Sequence, residues 1–434
     1  MDNRILAVIV VALLASGVVA GYEVRGVGVT TTVSTQSIFS TTTALSTTTV
    51  TRPTTWSTTY TTTLRVTQSA SGEVPSITTV EESNTSIMGF PNAVAIDYAT
   101  NMIYLTDEFS NILTIVNGTT DRVTEAVSLS ATPTGIVVDS NINTIFVSTG
   151  DCIDDVNASD YCGSAQLVPT QPAIVAINGS TDRVYWSVPV NAMVVAVDED
   201  RDVLYATQGH MIGPVGNSTG SLLAMRANTG SLIANTSLGA YPWGVALDSR
   251  THTLYVSACQ VLSLVCGGAE VLVINGTSNT MSTTIPVQSW APPAMVLDTL
   301  NNVGYLLADS NVTKIVAIDL ASDKEIHSSV LGSTCADISL LGIDLFEGQL
   351  YAVASSAHYA SGLLLVINSD TGNIVDMFSV PGQIVGFAPG YNGFLYSTIE
   401  SSSSQTSASL VSLSETFPIG FVNTGLIASG VCQP

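Results

Sequence analysis

The sequence predicts an all-β chain whose main domain is a seven-bladed β-propeller of four-stranded blades, on three observations. From Phe90 onward a unit repeats in which an Asp is followed seven residues later by an aromatic. Each unit holds four apolar runs of strand length, and none has a helical period. Turn-forming residues stand between the runs at matching places. Repeats of this size with four strands apiece are the sequence signature of propeller blades.

The pairs are Asp97/Tyr104, Asp139/Phe146, Asp198/Tyr205, Asp248/Tyr255, Asp298/Tyr305 and Asp344/Tyr351. A seventh unit keeps the spacing with Pro389/Tyr396 but has lost its Asp. Successive units lie 42 to 59 residues apart, which fits insertions into a common unit of about 40 residues. In the first unit the runs are Ala93–Ile96, Met102–Thr106, Ile112–Val116 and Val123–Leu129. Asn117-Gly118, Asn178-Gly179 and Asn275-Gly276 follow third runs, and Asn-Gly is expected to supply the positive φ of a tight hairpin. The recurrent Asp is expected to cap backbone N–H groups in the turn between the first two strands, since catalysis has no use for six copies. The recurrent Tyr is expected to pack between blades with its hydroxyl near an edge. A lone four-stranded blade cannot bury both faces, so radial packing unites the blades into one cooperative domain, residues 89–434.

The unit resembles the YVTN family of β-propeller repeats. The residues that carry the likeness are Ile103-Tyr104-Leu105-Thr106 and Leu254-Tyr255-Val256-Ser257, the preceding Pro242-Trp243-Gly244-Val245-Ala246-Leu247-Asp248, and the turns Ile274-Asn275-Gly276 and Ile318-Asp319. The resemblance implies a prokaryotic surface protein, with archaea among the candidate sources. It speaks for fold more than activity, because one scaffold hosts many functions. Insertions in the second to fourth units and the degenerate seventh depart from the pattern.

Ile5–Ala20 is almost continuously apolar and has the length of a secretory h-region, with small residues suited to cleavage before Gly21. Residues 1–20 are read as a signal peptide or N-terminal membrane anchor, the one segment expected to contact a membrane. Residues 21–88 are read as a Ser/Thr-rich stalk or linker. Half of Thr30–Thr67 is threonine, too little apolar surface to offset chain entropy, and its hydroxyls suit O-glycosylation. A flexible linker, or a strand given by Thr54–Thr67 to some sheet, are the alternatives. Export agrees with six cysteines and no Cys-x-x-Cys spacing. The most local pairing is Cys152–Cys162, Cys259–Cys266 and Cys335–Cys432.

Eleven Lys and Arg against 34 Asp and Glu give a net charge of −23, which excludes a basic nucleic-acid groove. Asp151, Asp154, Asp155 and Asp160 in the second unit's insertion could hold Ca²⁺, but their spacing matches no EF-hand loop and a solvated acidic loop is favoured. Gln208–Gly216, with His210 and Met211, is read as a plain glycine-rich loop rather than a copper or phosphate site. No His-Glu-x-x-His or Walker lysine is present. Sequons stand at Asn84, Asn117, Asn157, Asn178, Asn217, Asn235, Asn275 and Asn311, and those at 117, 178 and 275 are the repeat's own turn. The insertions at 150–172, 208–221 and 258–269 all follow the second strand of their units and should gather on one rim. The functional expectation is an exported, extracellular cell-surface or envelope glycoprotein that binds a protein, a glycan or a neighbouring subunit through that rim, with self-assembly a further option. The alternative is an extracellular propeller enzyme, lactonase-like or another hydrolase, with a channel metal.

Overall fold

In the computed structural model the described residues are 28–38, 41–51, 81–88, 91–107, 110–150, 171–210, 219–262, 265–289, 295–309, 312–333, 337–344, 349–355, 361–381, 383–389, 394–400 and 407–414. Among them every regular element is a strand, and none is a helix long and apolar enough to cross a membrane. The chain divides into two compact units, Met1–Glu82 with Leu413–Ile419, and Ser83–Ser412 with Gly420–Pro434.

In the first unit Gly28–Ile38 pairs antiparallel with Thr41–Thr51, in register from Gly28↔Thr51 to Ile38↔Thr41. β-Branched threonine suits extended backbone, and Thr30↔Thr49, Thr31↔Thr48 and Thr32↔Thr47 are cross-strand pairs. This part of the threonine-rich stretch therefore forms a two-stranded antiparallel sheet. Ile5–Ala20 and Thr54–Thr67 lie outside the described residues.

The strands of the second unit form seven four-stranded sheets. The first has the order Pro91–Asp97, Met102–Asp107, Ile112–Asn117, Arg122–Ser128. The second to sixth repeat this plan over 132–188, 195–237, 241–287, 295–333 and 337–381. These six are antiparallel at every pairing. The seventh takes Gln383–Pro389, Phe394–Glu400 and Ser407–Ser414 from the end of the repeat, and its outer strand is Glu81–Met88. That strand comes from the stretch expected to be linker. The first strands of consecutive sheets touch in succession, and Gln383–Pro389 touches Pro91–Asp97, so the succession returns to its start.

Apolar residues of adjoining sheets close over one another. Tyr205, Leu222 and Ala224 of the third sheet pack on Leu254, Val256, Leu272 and Ile274 of the fourth. Tyr255, Val271 and Val273 of the fourth pack on Leu306 and Ile318 of the fifth. The outer strands are polar and exposed, as in Arg122–Ser128 and Leu232–Ser237. In the first six sheets the outer strand breaks register with its neighbour near its start, a bulge that blunts the free edge.

Candidate functional site

Each sheet has two chemically different ends. At one end lie the hairpin turns between the first and second strands and between the third and fourth. At the other lie the connections that carry the insertions.

The turn end is built by the repeated motif. Asp97, Asp139, Asp198, Asp248 and Asp298 are buried. Asp97 Oδ1 accepts the Ala99 N–H at 2.9 Å and its Oδ2 the Thr100 hydroxyl at 2.7 Å. Asp139, Asp248 and Asp298 likewise accept backbone N–H groups two or three residues ahead, at 2.9–3.2 Å. These carboxylates cap turns, as the repetition suggested. Asp198 departs from the pattern. Its Oδ2 meets Nδ1 of His252, on the next sheet, at 2.8 Å, and its Oδ1 is buried without a hydrogen-bond partner.

The expected role of Asn-Gly needs correction. Positive φ falls on Asn101, Asn143, Asp202, His252 and Asn302 in the first turn, and in the second on Asp121, Asp182, Asn279 and Asp323, with Gly230 and Gly372 at the matching places. Gly118, Gly179 and Gly276 are needed for space instead. A Cβ on Gly118 would stand 2.8 Å from the Asn101 carbonyl oxygen, and one on Gly276 2.6 Å from that of His252. Their N–H groups donate to those carbonyls and to Asn143's, which locks the two turns together. Tyr hydroxyls then join consecutive sheets, Tyr205 donating to the Gly276 carbonyl at 3.0 Å and Tyr255 to that of Leu320 at 3.2 Å. Burial pushes both hydroxyls above the usual tyrosine range. Glu199 reaches from the third sheet to the second, where its carboxylate accepts the Ser140 N–H at 3.3 Å. Burial, opposed by that hydrogen bond and aided by nearby Asp139, raises its pKa, and burial likewise raises that of Asp139.

At the insertion end the first strands of the first, second and fourth sheets break register between Pro91 and Ala93, Pro133 and Gly135, and Pro242 and Gly244. Asn92, Thr134 and Trp243 are the bulged residues. The Pro-x-Gly spelling has a physical cause in two of these sheets. Proline withholds an N–H, and glycine leaves room for a hydroxyl of the second strand. A Cβ on Gly135 would stand 3.0 Å from Ser148 Oγ, and one on Gly244 3.0 Å from Ser257 Oγ. Ser148 Oγ lies 3.3 Å from the carbonyl oxygens of both Gly135 and Met193, tying the bulge to the third sheet. The Thr134 hydroxyl donates to the Ala192 carbonyl at 2.8 Å.

Trp243 has half of its surface exposed (50%). Its ring meets that of Tyr241 edge-on, centroids 6.1 Å apart and planes at 61°. Tyr241 is buried, and a Cβ on Gly209 would stand 2.5 Å from its ring, so the third sheet fixes the support on which the indole rests. Sequence reading used Pro242-Trp243-Gly244 as a mark of the repeat and missed that its middle residue is thrown out of the ladder.

Asp151, Asp154, Asp155 and Asp160 lie outside the described residues, as do Cys152, Cys162, Cys335, Cys432, Asn157, Asn217 and Asn311. Asn84 is on the outer strand of the seventh sheet, and Asn235 is exposed on the outer strand of the third. Asn117, Asn178 and Asn275 accept backbone N–H groups at 2.9–3.1 Å and so cap the second turn. Cys259 is buried and disulfide-bonded, and Cys266 stands opposite Val261 in the same ladder. Among the described residues no group of three His, Cys, Asp or Glu is placed to hold a metal ion.

No protein-family model matches the chain, and no curated protein matches it. Among solved structures it is similar to a chain of Kuenenia stuttgartiensis hydrazine synthase, with TM-score 0.57 and 12% identity over 75% of this chain and 97% of that one. It is also similar to the β-propeller domain of Cps50 (Swd1) from Myceliophteria thermophila, with TM-score 0.54 and 8% identity over 76% of this chain and 99% of that domain. At such identities the likeness shows the fold alone. With the sheet succession above, it defines the chain as a β-propeller protein.

Proposed function

We propose that this chain is an exported cell-surface or envelope protein whose propeller, seven-bladed and of the YVTN type, recognises a partner through the insertion end of its blades. The observation that carries the reading is the shared position of the long connections. They join Thr144–Gly150 to Ile174–Asn178, Val203–His210 to Thr219–Arg226, and Thr253–Leu262 to Val265–Asn275, each a second strand to a third. In the last case the ladder continues to Leu262↔Val265, beyond Tyr241↔Cys259, where the first strand's own pairing begins. Binding loops on a rigid scaffold are the usual place for recognition. The bulged outer strands favour this end over edge-to-edge joining of blades.

On this reading residues 1–20 direct export or anchor the chain, and the threonine-rich segment spaces the propeller from the surface. Cys259–Cys266 staples the protruding hairpin, Cys152–Cys162 staples the second unit's insertion, Cys335–Cys432 ties the C-terminal tail back to the domain, and exposed sequons such as Asn235 carry glycans. The test is to replace residues 260–267 by a two-residue turn in the full chain and measure retention on the isolated cell envelope of the source organism. Loss of retention with an unchanged unfolding temperature supports the reading. Undiminished retention, repeated on shortening 151–170 and 211–218, overturns it.

A further inference from the structure

Two kinds of sheet edge occur in this chain. In the first six four-stranded sheets a bulge breaks the outer strand near its start, and the outer strand of the seventh opens with Glu81 and Glu82. Bulges and charges keep a strand edge from pairing with another molecule. Gly28–Ile38 and Thr41–Thr51 have neither. Their pairing runs from Gly28↔Thr51 to Ile38↔Thr41 without a shift of register. No Asp, Glu, Lys, Arg, His or Pro stands in residues 26–51, although Arg25 and Arg52-Pro53 flank them. Among the described residues the two strands have only each other as sheet neighbours. In an antiparallel pair about half of the backbone N–H and C=O groups of each strand point away from its partner, so each edge offers an unmatched row.

From this contrast we infer that Thr41–Thr51 pairs edge to edge with the same strand of a second copy of the chain, so that two two-stranded sheets become one of four strands. The inference is independent of the recognition reading, which uses the other compact unit. A two-stranded sheet is marginal by itself and gains stability from further strands. Every other strand among the described residues already belongs to a four-stranded sheet. A second copy fits by sequence. Antiparallel pairing about a two-fold axis at Ser46 sets Thr41 opposite Thr51, Thr42 opposite Val50 and Thr43 opposite Thr49, all β-branched residues that suit cross-strand pairs. Gly28–Ile38 turned on itself about Val33 would set Gly28 opposite Ile38 and Thr30 opposite Gln36, a poorer match. Each copy would use the same surface, as a two-fold contact requires. Charge points to the same place. Residues 83–434 hold 29 of the 34 Asp and Glu against seven of the 11 Lys and Arg, a net −22 of the total −23. Two copies therefore repel through their propellers and meet most readily through this uncharged stretch. Residues 52–80 separate it from Glu81–Met88, and screening confines the repulsion to about 8 Å at physiological ionic strength.

Sedimentation velocity of the full chain, in a non-ionic detergent that masks Ile5–Ala20, tests this from about 0.1 μM to about 100 μM, a range that detects micromolar affinity. Wild type should pass from monomer to dimer across that range, and added salt should strengthen the dimer by screening the propellers. The double variant Thr43→Lys with Thr49→Lys sets lysine against lysine at the join and should weaken dimerisation about tenfold or more. Thr43→Glu with Thr49→Glu should do the same. A mixture of the two double variants should dimerise to within about threefold of wild type, because unlike charges then face each other. A sheet merely unfolded by the substitutions would not recover in this way. Wild type that stays monomeric at the highest concentration overturns the inference. So do double variants that dimerise like wild type, or a mixture that fails to associate. Replacing 260–267 by a two-residue turn should leave dimerisation unchanged. Loss of the dimer there would place the contact at the insertion end, overturning this inference while the recognition reading stands.

Discussion

The indole N–H of Trp186 donates to the carbonyl oxygen of Ala227 at 3.1 Å, joining the second sheet to the third. Ala227 is the first residue after its third strand, the place held by Gly276 and Leu320 in the next two sheets. There the donor is a tyrosine hydroxyl from the preceding sheet. The second sheet has Phe146 where its neighbours have Tyr, and Trp186, its ring centroid 5.8 Å from that of Phe146, supplies the missing hydrogen bond from the outer strand.

Trp186→Phe should therefore destabilise the propeller by about 1–2 kcal/mol, the cost of a lost hydrogen bond to a carbonyl with no replacement. Adding Phe146→Tyr should recover most of the loss. Urea unfolding of the two single variants and the double variant measures the coupling. Strict additivity would show that the tyrosine position and the indole do not serve the same carbonyl.

His252 has two duties. Its φ of +56° closes the first turn of the fourth sheet, and its Nδ1 partners a fully buried Asp198, which has the Arg201 guanidinium 4.0 Å away. His252→Ala should cost about 2–4 kcal/mol, because a buried carboxylate loses its close partner and a left-handed residue loses a side chain tolerant of that conformation. His252→Asn should cost about half as much, since Asn accepts the backbone and offers an amide donor. Equal losses in the two variants would refute the division of roles.

Glycine positions separate space from conformation. Gly276→Ala places a methyl 2.6 Å from the His252 carbonyl oxygen and 2.7 Å from the Tyr205 hydroxyl, and should destabilise by about 1–3 kcal/mol. Gly268, with nothing within 4 Å of a built Cβ and no positive φ, should accept Ala within about 0.5 kcal/mol. A thermal-melt comparison decides it, and a costly Gly268→Ala would count against the open geometry of the protruding hairpin.

The fold was legible because the repeat carries its own geometry. The seven-residue step from Asp97 to Tyr104 spans the end of one strand, a turn and the start of the next, and it recurs often enough to outvote the insertions. The role of Asp as a turn cap was legible for the same reason. Three things were not. The positive φ sits on Asp121, Asp182 and Asn279, where the sequence shows no glycine. The outer strand Glu81–Met88 is polar in sequence, so no apolar run marks it before the repeat begins. Trp243 looked like one letter of a motif, because a bulge is a property of two paired strands and of the Ser257 hydroxyl opposite, which no single run of sequence displays.

Stability should rise as pH falls from neutral toward the acid range. Asp139, Asp182, Glu199 and Asp323 all have pKa values raised above the usual 3.8 for Asp and 4.5 for Glu, with burial the largest cause in each. A carboxyl whose folded pKa is raised favours the folded state fully below its unfolded value, and that contribution is lost as pH rises through the folded value. At pH 7 these four groups therefore oppose folding, and the net charge of −23 adds repulsion that fades toward the pI near 4.1. Asp319 works the other way. Hydrogen bonds from Ser322 lower its pKa, so its contribution is present above 3.8 and lost as pH falls through its folded value. The optimum should lie on the acid side of neutral. Glu199→Gln removes one of the opposing carboxylates while leaving an oxygen to accept the Ser140 N–H. It should raise the unfolding temperature at pH 7, and its advantage should shrink as pH falls through the raised folded value toward the unfolded value of 4.5. Unfolding temperatures of both proteins across pH 3–8 test the claim, and a wild-type maximum at or above pH 7 would contradict it.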